Sequence, residues 1–127
     1  MKRVFCLFVS VLWLLAAVPV PAEDAKIHLI ELDSPPVVRG VCPATVRFHG
    51  YIETTGRMAV SFDWVRSDGV RTSRTLHFAK AGRRNVFDSW TVSKTYSGWE
   101  QIVVTSPNQL ETRRSTFQVN CVTRKRQ

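Results

Sequence analysis

The chain has few of the residues that enzymes use most often to activate water or to bind metals. Its 127 residues include three cysteines and only three histidines, His28, His49 and His77. The histidines lie in separate segments, and neither a G-x-S-x-G nor an H-E-x-x-H motif surrounds them. Hydrolytic catalysis needs a nucleophile, a base and an orienting group close together. We therefore predict a protein that is not an enzyme and has no cofactor or metal.

Paired carboxylates of the kind that glycosidases use are also missing. The acidic residues Glu53, Asp63, Asp68 and Asp88 fall on different segments of the chain, whereas a glycosidase needs two carboxyl groups flanking one bond. Asp88 is unusual because it shares the alternation phase of the apolar residues in "NVFDSWTV". We expect it at a bulge, at a sheet edge or beside a buried partner such as an arginine.

Long apolar runs are absent except at the N-terminus. Lys2 and Arg3 precede an apolar run over residues 4–18, and prolines and small residues follow up to Ala22. This is the layout of a signal peptide, and the run is shorter than the roughly 20 residues that span a bilayer. We expect cleavage after residue 22, a secreted or periplasmic location and no membrane span in the mature residues 23–127. A retained anchor is the alternative.

Cysteine is scarce enough to suggest one disulfide. Cleavage removes Cys6 and leaves Cys42 and Cys121, a matched pair in an oxidising compartment. A bond between them would close a loop of about 80 residues, which the chain-entropy model values at about 4 to 5 kcal/mol. Two free buried thiols are the alternative, and two sulfurs are too few for a metal site. The remaining 105 of the 127 residues have the size of one domain.

Sustained helical periodicity is missing from the mature chain, whereas alternation with a period of two recurs. In "TVRFHGYIET", for example, one face carries Val46, Phe48 and Ile52. Turn residues separate the alternating segments. The pattern predicts an all-β fold, an antiparallel sandwich of about seven short strands, with a small closed barrel as the competitor. The predicted strands are "IHLIEL", "TVRFHGYIET", "MAVSFDWV", "TLHFA", "NVFDSWTV", "WEQIVVTS" and "STFQVNC".

The segment "FDWVRSDGVRTSR" predicts a hairpin whose register can be chosen from its apolar residues. A three-residue loop, Ser67–Gly69, pairs Val60 with Leu76 and Met58 with Phe78, so that all large apolar side chains share one face. A two-residue loop would separate them. The three-residue loop needs a left-handed residue at its last position, which glycine supplies. In this register His49 and His77 both point off the apolar face, which leaves a two-histidine metal site conceivable.

The segments "CPATVRFHGYIETTG", "FDWVRSDG", "LHFAKAGRRNVFDSW" and "SGWEQIVVTSPNQLETRRSTFQVNC" together resemble a group of small secreted bacterial domains. The resemblance spans Cys42 to Cys121. It implies an immunoglobulin-like β-sandwich, export and a terminal disulfide. The group has no assigned chemistry, so the resemblance identifies no functional residue.

Acidic residues are outnumbered by basic ones, 10 to 18, for a formal charge of +8 that becomes +6 without Lys2 and Arg3. Arginine exceeds lysine, which favours bidentate binding of carboxylate or phosphate groups. A solvated basic surface is the plainer interpretation. The candidate anion-binding residues flank the predicted hairpin and the next turn, and they are Arg66, Arg71, Arg74, Arg83 and Arg84.

Tryptophans and tyrosines raise the possibility of a carbohydrate-binding surface. Trp64 and Trp90 fit the core phase, so we predict that both pack inside the protein. Tyr96 and Trp99 flank Gly98 in a loop that enters a strand, and they are the candidates for stacking on a ligand.

Two functions from different classes follow from these features. The first is a secreted binding module whose basic surface contacts an anionic envelope polymer or an acidic protein, with nucleic acid as a further possible partner. The second is a structural subunit that joins an envelope assembly through an exposed sheet edge.

Overall fold

The structure, a computed structural model, describes residues 25–123. The expected signal peptide at residues 1–22, its cleavage site and Cys6 lie outside this range. Within the described range, no helix is long and apolar enough to cross a membrane.

The described chain forms nine strands in two sheets. The smaller sheet has the order β1-β3-β6, and the larger sheet has the order β2-β9-β7-β4-β5, with β8 beside β7. The strands are β1 (Ile27–Asp33), β2 (Val37–Gly40), β3 (Ala44–Thr54), β4 (Met58–Arg66), β5 (Arg71–Phe78), β6 (Gly82–Val92), β7 (Tyr96–Ser106), β8 (Leu110–Glu111) and β9 (Ser115–Cys121).

This arrangement confirms the predicted β-sandwich and not the closed barrel. The seven predicted strands are present, but the sequence missed β2 and β8. Both are short, with four and two residues, so neither shows a clear alternation. β2 pairs with β9 in parallel, whereas every other pair in the described part is antiparallel.

The core lies between the two sheets and follows the predicted alternation. The inward residues of β3, among them Val46, Phe48 and Ile52, are buried, and the outward residues that alternate with them are exposed or half-buried. Trp64 and Trp90 are both buried, as predicted. Aromatic rings link the sheets, since Phe117 of β9 contacts Phe48 and Trp90 with ring centroids 5.7 and 5.1 Å apart.

The β4–β5 hairpin has the predicted register. Met58 pairs with Phe78 and Val60 with Leu76. The loop closes with hydrogen bonds between the backbones of Arg66 and Val70 and from Gly69 N to Arg66 O. Gly69 has a φ of +91°, a conformation that costs glycine little and other residues more.

The predicted disulfide joins Cys42 and Cys121, whose Cα atoms are 5.4 Å apart. Cys42 lies between β2 and β3, and Cys121 is the last residue of β9. The bond therefore ties the end of β9 to the segment in which the chain passes from β2 of the larger sheet to β3 of the smaller sheet.

Candidate functional site

Two of the hairpin arginines lie on opposite faces of the larger sheet. Arg66 has the phase of the inward residues Phe62 and Trp64, whereas Arg71 pairs with Val65 on the outer face. An anion at the hairpin tip could not contact both guanidinium groups from one side. The expected joint site therefore gains no support from this geometry and stays a prediction.

Arg71 is already paired with a carboxylate. Its Nε lies 2.6 Å from Asp63 Oδ2, and Ser73 Oγ donates to Asp63 Oδ1 at 2.7 Å. The hydrogen bonds from Ser73 and then from Arg71 stabilise the ionised carboxyl and lower the pKa of Asp63. This cluster ties β4 to β5 on the outer face.

Arg66 reaches across the core to the smaller sheet. One of its terminal nitrogens lies 3.4 Å from Asp88 Oδ2 and 3.0 Å from the carbonyl oxygen of Ser89. Its guanidinium also lies 5.1 Å from the centre of the Trp90 ring. The prediction that Asp88 has an edge position or an arginine partner is confirmed on both counts, since β6 is an edge strand.

The other three candidate arginines lie on two different strands, Arg74 on β5 and both Arg83 and Arg84 on β6. Arg74 is exposed, and its contact in the described chain is a 3.4 Å bond to the Ser73 carbonyl. Arg83 pairs with Glu53 at 2.9 Å and lies over the Tyr51 ring at 4.0 Å. Arg84 donates to the carbonyl oxygen of His77 at 2.7 Å, which links β6 to β5 across the two sheets.

The end of the sandwich opposite the hairpin tip collects cations from several segments. The β3–β4 turn and the β5–β6 turn lie there, because Thr54 pairs with Gly82 and Met58 with Phe78. The segment before β1 joins them through a hydrogen bond from Thr55 N to the Lys26 carbonyl at 2.8 Å. We call this surface the basic end and define it by Lys26, Arg57, Lys80, Arg83 and Arg84.

Two open grooves at the basic end share the wall formed by residues 77–79. One has a volume of about 740 Å³ and is lined by Arg57, Met58 and Ala59 beside that wall. The other, of about 290 Å³, is lined by residues 80–84. Among the described residues, Arg57, Lys80 and Arg84 form no ion pair.

The two candidate stacking residues are half-buried and lie on different faces. Tyr96 packs inward against Trp90 and Phe117, with ring centroids 5.5 and 6.1 Å away. Trp99 lies in the outward phase of β7, where the Arg114 guanidinium covers its ring at 4.0 Å. The two rings therefore do not form one platform for a sugar.

The hypothesis that His49 and His77 form a metal site is wrong. His49 lies on β3 of the smaller sheet, where it stacks on Phe87 with centroids 5.0 Å apart, and His77 lies on β5 of the larger sheet. Both side chains are exposed on the outward phase of their own sheet. Within residues 25–123, no three potential ligand side chains cluster around a metal position.

Glu100 is the ionisable residue that the sequence analysis missed. It is 0% exposed, and neither of its carboxyl oxygens has a hydrogen-bond partner in the described chain. Burial, followed by the neighbouring Asp88, raises the pKa of Glu100 to about 9. The sequence signal for its burial is its alternation phase, because Glu100 shares the phase of Ile102 and Val104 in "WEQIVVTS". Both phases of that segment are apolar around residues 102–104, so its alternation does not mark the inward carboxyl.

Comparison with solved structures supports the fold. The CARDB domain of the PF1109 protein from Pyrococcus furiosus, crystallised in complex with di-metal ions, matches with a TM-score of 0.61 at 12% identity, over 78% of this chain and 94% of that domain. The solution NMR structure of the same domain also matches with a TM-score of 0.61, at 14% identity, over 78% of this chain and 98% of that domain. This chain has the same immunoglobulin-like β-sandwich fold. No protein-family model and no curated protein matches the sequence.

Proposed function

We propose that the protein is an exported, non-enzymatic binding module that holds an anionic partner at its basic end. The observation that carries the proposal is the convergence of Arg57, Lys80 and Arg84 beside two open grooves, without an ion pair among the described residues. The hairpin arginines Arg66 and Arg71, by contrast, already contact Asp88 and Asp63.

The partner that this surface fits is a polymer with repeated negative charges. Guanidinium groups bind carboxylates and phosphates through two parallel hydrogen bonds. Cations from separate turns contact neighbouring charges of an extended chain better than one isolated ion. An anionic envelope polymer is the first candidate, and an acidic protein or a nucleic acid shares the same charge chemistry.

The test is retention of the oxidised protein, residues 23–127, on intact envelope material across a salt series. The variant combines Arg57→Glu and Lys80→Glu. The matched control combines Arg39→Glu and Arg47→Glu, which changes the net charge equally but on β2 and the outer face of β3. We expect retention that weakens with salt and is lost in the basic-end variant alone. Equal loss in both variants, or retention that ignores salt, contradicts the proposed site.

The second candidate is assembly through a sheet edge, and one observation favours it. Phe87, in the middle of the edge strand β6, is 71% exposed, and an exposed aromatic residue on a long edge suits pairing with another strand. Arg66 and Arg84 oppose this because they occupy the Ser89 and His77 carbonyls on the β6 and β5 edges. Retention that survives high salt but disappears with Asn85→Pro would favour the edge over the basic end.

A further inference from the structure

Two carboxyl groups and one guanidinium lie together between the sheets, beside the hairpin tip. Arg66 of β4 and Glu100 of β7 are direct cross-strand neighbours on the inner face of the larger sheet. Asp88 faces them from β6 of the smaller sheet. The group lies between the two sheets, so its contacts determine how the sheets are held together here.

Arg66 makes its closer contacts with the opposite sheet. Its guanidinium lies 3.4 Å from Asp88 and 3.0 Å from the Ser89 carbonyl, but its Nε is 4.0 Å from the nearer Glu100 oxygen. Glu100, the residue beside it on its own sheet, is left without a hydrogen bond. The arrangement fits a cluster in which Asp88 carries the negative charge and Glu100 is neutral.

A buried carboxylate without a partner is strongly unfavourable, so burial alone favours the protonated form of Glu100. The charged groups that face it are Asp88 of β6, Asp68 of the hairpin loop and Arg66 of β4. The two carboxylates oppose its ionisation, and the single guanidinium favours it. Desolvation, followed by Asp88, outweighs the effect of Arg66 and raises the pKa of Glu100 to about 9.

We propose that Glu100 is a proton-controlled latch that decides which sheet Arg66 binds. While Glu100 is protonated, Arg66 bridges to Asp88 and the Ser89 carbonyl and holds the hairpin end of β4 against β6. When Glu100 loses its proton to solvent, its carboxylate competes for the guanidinium and draws Arg66 back to its own sheet. The Ser89 carbonyl, at the edge of β6, then loses its donor.

This inference is independent of the proposed anion binding, since the basic end lies at the opposite end of the sandwich. Its consequence concerns the side of the sandwich formed by β5 and β6, where the hydrogen bonding of the Ser89 carbonyl changes with pH. Alkaline conditions release the bridge beside the hairpin tip and leave the Ser89 carbonyl free to accept a hydrogen bond from another donor. At neutral pH, where Glu100 is protonated and Asp88 carries the negative charge, this side stays closed.

The experiment is a carbon-detected NMR titration of the full mature chain from pH 4 to pH 10. It follows two resonances, the Glu100 carboxyl carbon and the Ser89 carbonyl carbon. We expect the Glu100 carbon to titrate with a midpoint near 9 and the Ser89 carbon to move with the same midpoint as it loses its hydrogen bond. The wild-type measurement alone is decisive, so the test does not depend on a variant that folds.

Two variants sharpen the result. In Glu100→Gln, which keeps a neutral side chain of the same shape, the Ser89 carbon should no longer respond near pH 9. In Glu53→Gln, which changes a carboxyl that pairs with Arg83 at 2.9 Å, the Ser89 response should match the wild type. A Glu100 midpoint near 4.5, a Ser89 carbon that does not follow Glu100, or an unchanged Ser89 response in Glu100→Gln would overturn the latch.

Discussion

Two buried carboxyl groups in the larger sheet occupy opposite chemical environments. Asp63 receives hydrogen bonds from Ser73 and Arg71 at 2.7 and 2.6 Å, whereas Glu100 receives none within the described chain. The donors keep Asp63 ionised, and their absence, together with burial, keeps Glu100 neutral. The pH dependence of stability should therefore have opposite signs at the two positions.

Glu100→Gln should stabilise the protein at pH 7. The pKa of Glu100 is about 9 in the fold, against 4.5 for an unperturbed glutamate side chain, so folding at pH 7 requires the carboxyl to take up a proton. The stability that its protonated form contributes is fully present below pH 4.5 and is lost as the pH rises toward 9. Glutamine avoids this cost, which is on the order of 3 kcal/mol at pH 7, because pH 7 lies about 2.5 above the unfolded pKa and each pH unit is worth about 1.4 kcal/mol.

Urea unfolding of the wild type and Glu100→Gln at pH 4 and pH 7 measures this gain. The difference between the two proteins should be small at pH 4 and large at pH 7. A difference that does not change with pH would show that Glu100 is not neutral in the fold.

Asp63→Asn should destabilise the protein by about 1 to 2 kcal/mol at pH 7, because it removes a charged acceptor from Ser73 and Arg71. The fold lowers the pKa of Asp63 below its ordinary value of 3.8. Its stabilisation is therefore present above pH 3.8 and is lost as the pH falls through the lower folded pKa. Chemical unfolding at pH 7 and pH 3 should show a smaller deficit at the lower pH, and an equal deficit would argue for a packing defect.

Sequence patterns predicted one of the two inward acids and missed the other. Asp88 interrupts a regular alternation in "NVFDSWTV", so the pattern itself marks it. Glu100 precedes a run in which both phases are apolar, and there the alternation does not distinguish inward from outward. Its neutral state depends on burial between the sheets and on Asp88, which comes from a strand of the other sheet, and no local pattern contains that information.

At the scale of single elements, β3 depends on one close approach to β1. Gly50 of β3 is buried, and a Cβ added to it would lie 2.6 Å from the Glu31 backbone carbonyl and 2.9 Å from an Ile102 methyl group. The carbonyl belongs to the neighbouring strand, so it cannot move without disturbing the β1–β3 pairing. Gly40 of β2 provides the contrast, because a Cβ there would meet nothing within 4 Å.

We expect Gly50→Ala to cost about 1 to 3 kcal/mol, the range typical of overpacked interiors. Gly40→Ala should change stability by less than about 0.5 kcal/mol. Thermal unfolding of both variants beside the wild type makes the comparison. Similar losses in the two variants would mean that glycine is needed for backbone freedom in these strands and not for the β1–β3 contact.

Local elements were more predictable than distant pairings. The β4–β5 register follows from apolar residues within about 20 positions and from a loop that ends in glycine, so the sequence alone selects it. β2 pairs with β9, about 80 residues later in the chain, through four residues that carry little alternation. The placement of such a strand is decided by tertiary structure, which explains why it was missed.

For the whole molecule, the disulfide is the largest single constraint on the unfolded chain. Its cysteines are 79 positions apart, and the chain-entropy model gives about 4 to 5 kcal/mol for a loop of that length as an upper figure. We expect the double variant Cys42→Ser, Cys121→Ser to lose several kcal/mol in urea unfolding. A loss below about 1 kcal/mol would indicate that the unfolded chain stays compact without the bond.

The distribution of charge was the least predictable property of the molecule. The sequence grouped arginines by their positions along the chain and favoured the hairpin. The fold instead gathers Arg57, Lys80 and Arg84 from two turns and the start of β6 at the other end, while Arg66 and Arg71 contact acids on opposite faces of one hairpin. Such a regrouping depends on which turns share an end of the sandwich, and only the sheet topology decides that.

The positions of the disulfide and of the described termini also determine how the domain would respond to a pulling force. The segment before β1 is bonded to the β3–β4 turn at the basic end, whereas Val122 bonds to Gly40 beside the disulfide. A force applied through these ends would pass through the disulfide and would not load the residues between Cys42 and Cys121, because the covalent bond closes that loop. Only β1 and β2 could then unravel, which limits the extension to about 60 Å at 3.3–3.6 Å per residue. Reduction of the disulfide would allow several times that length of chain to extend, so redox conditions would determine how far the domain can be stretched.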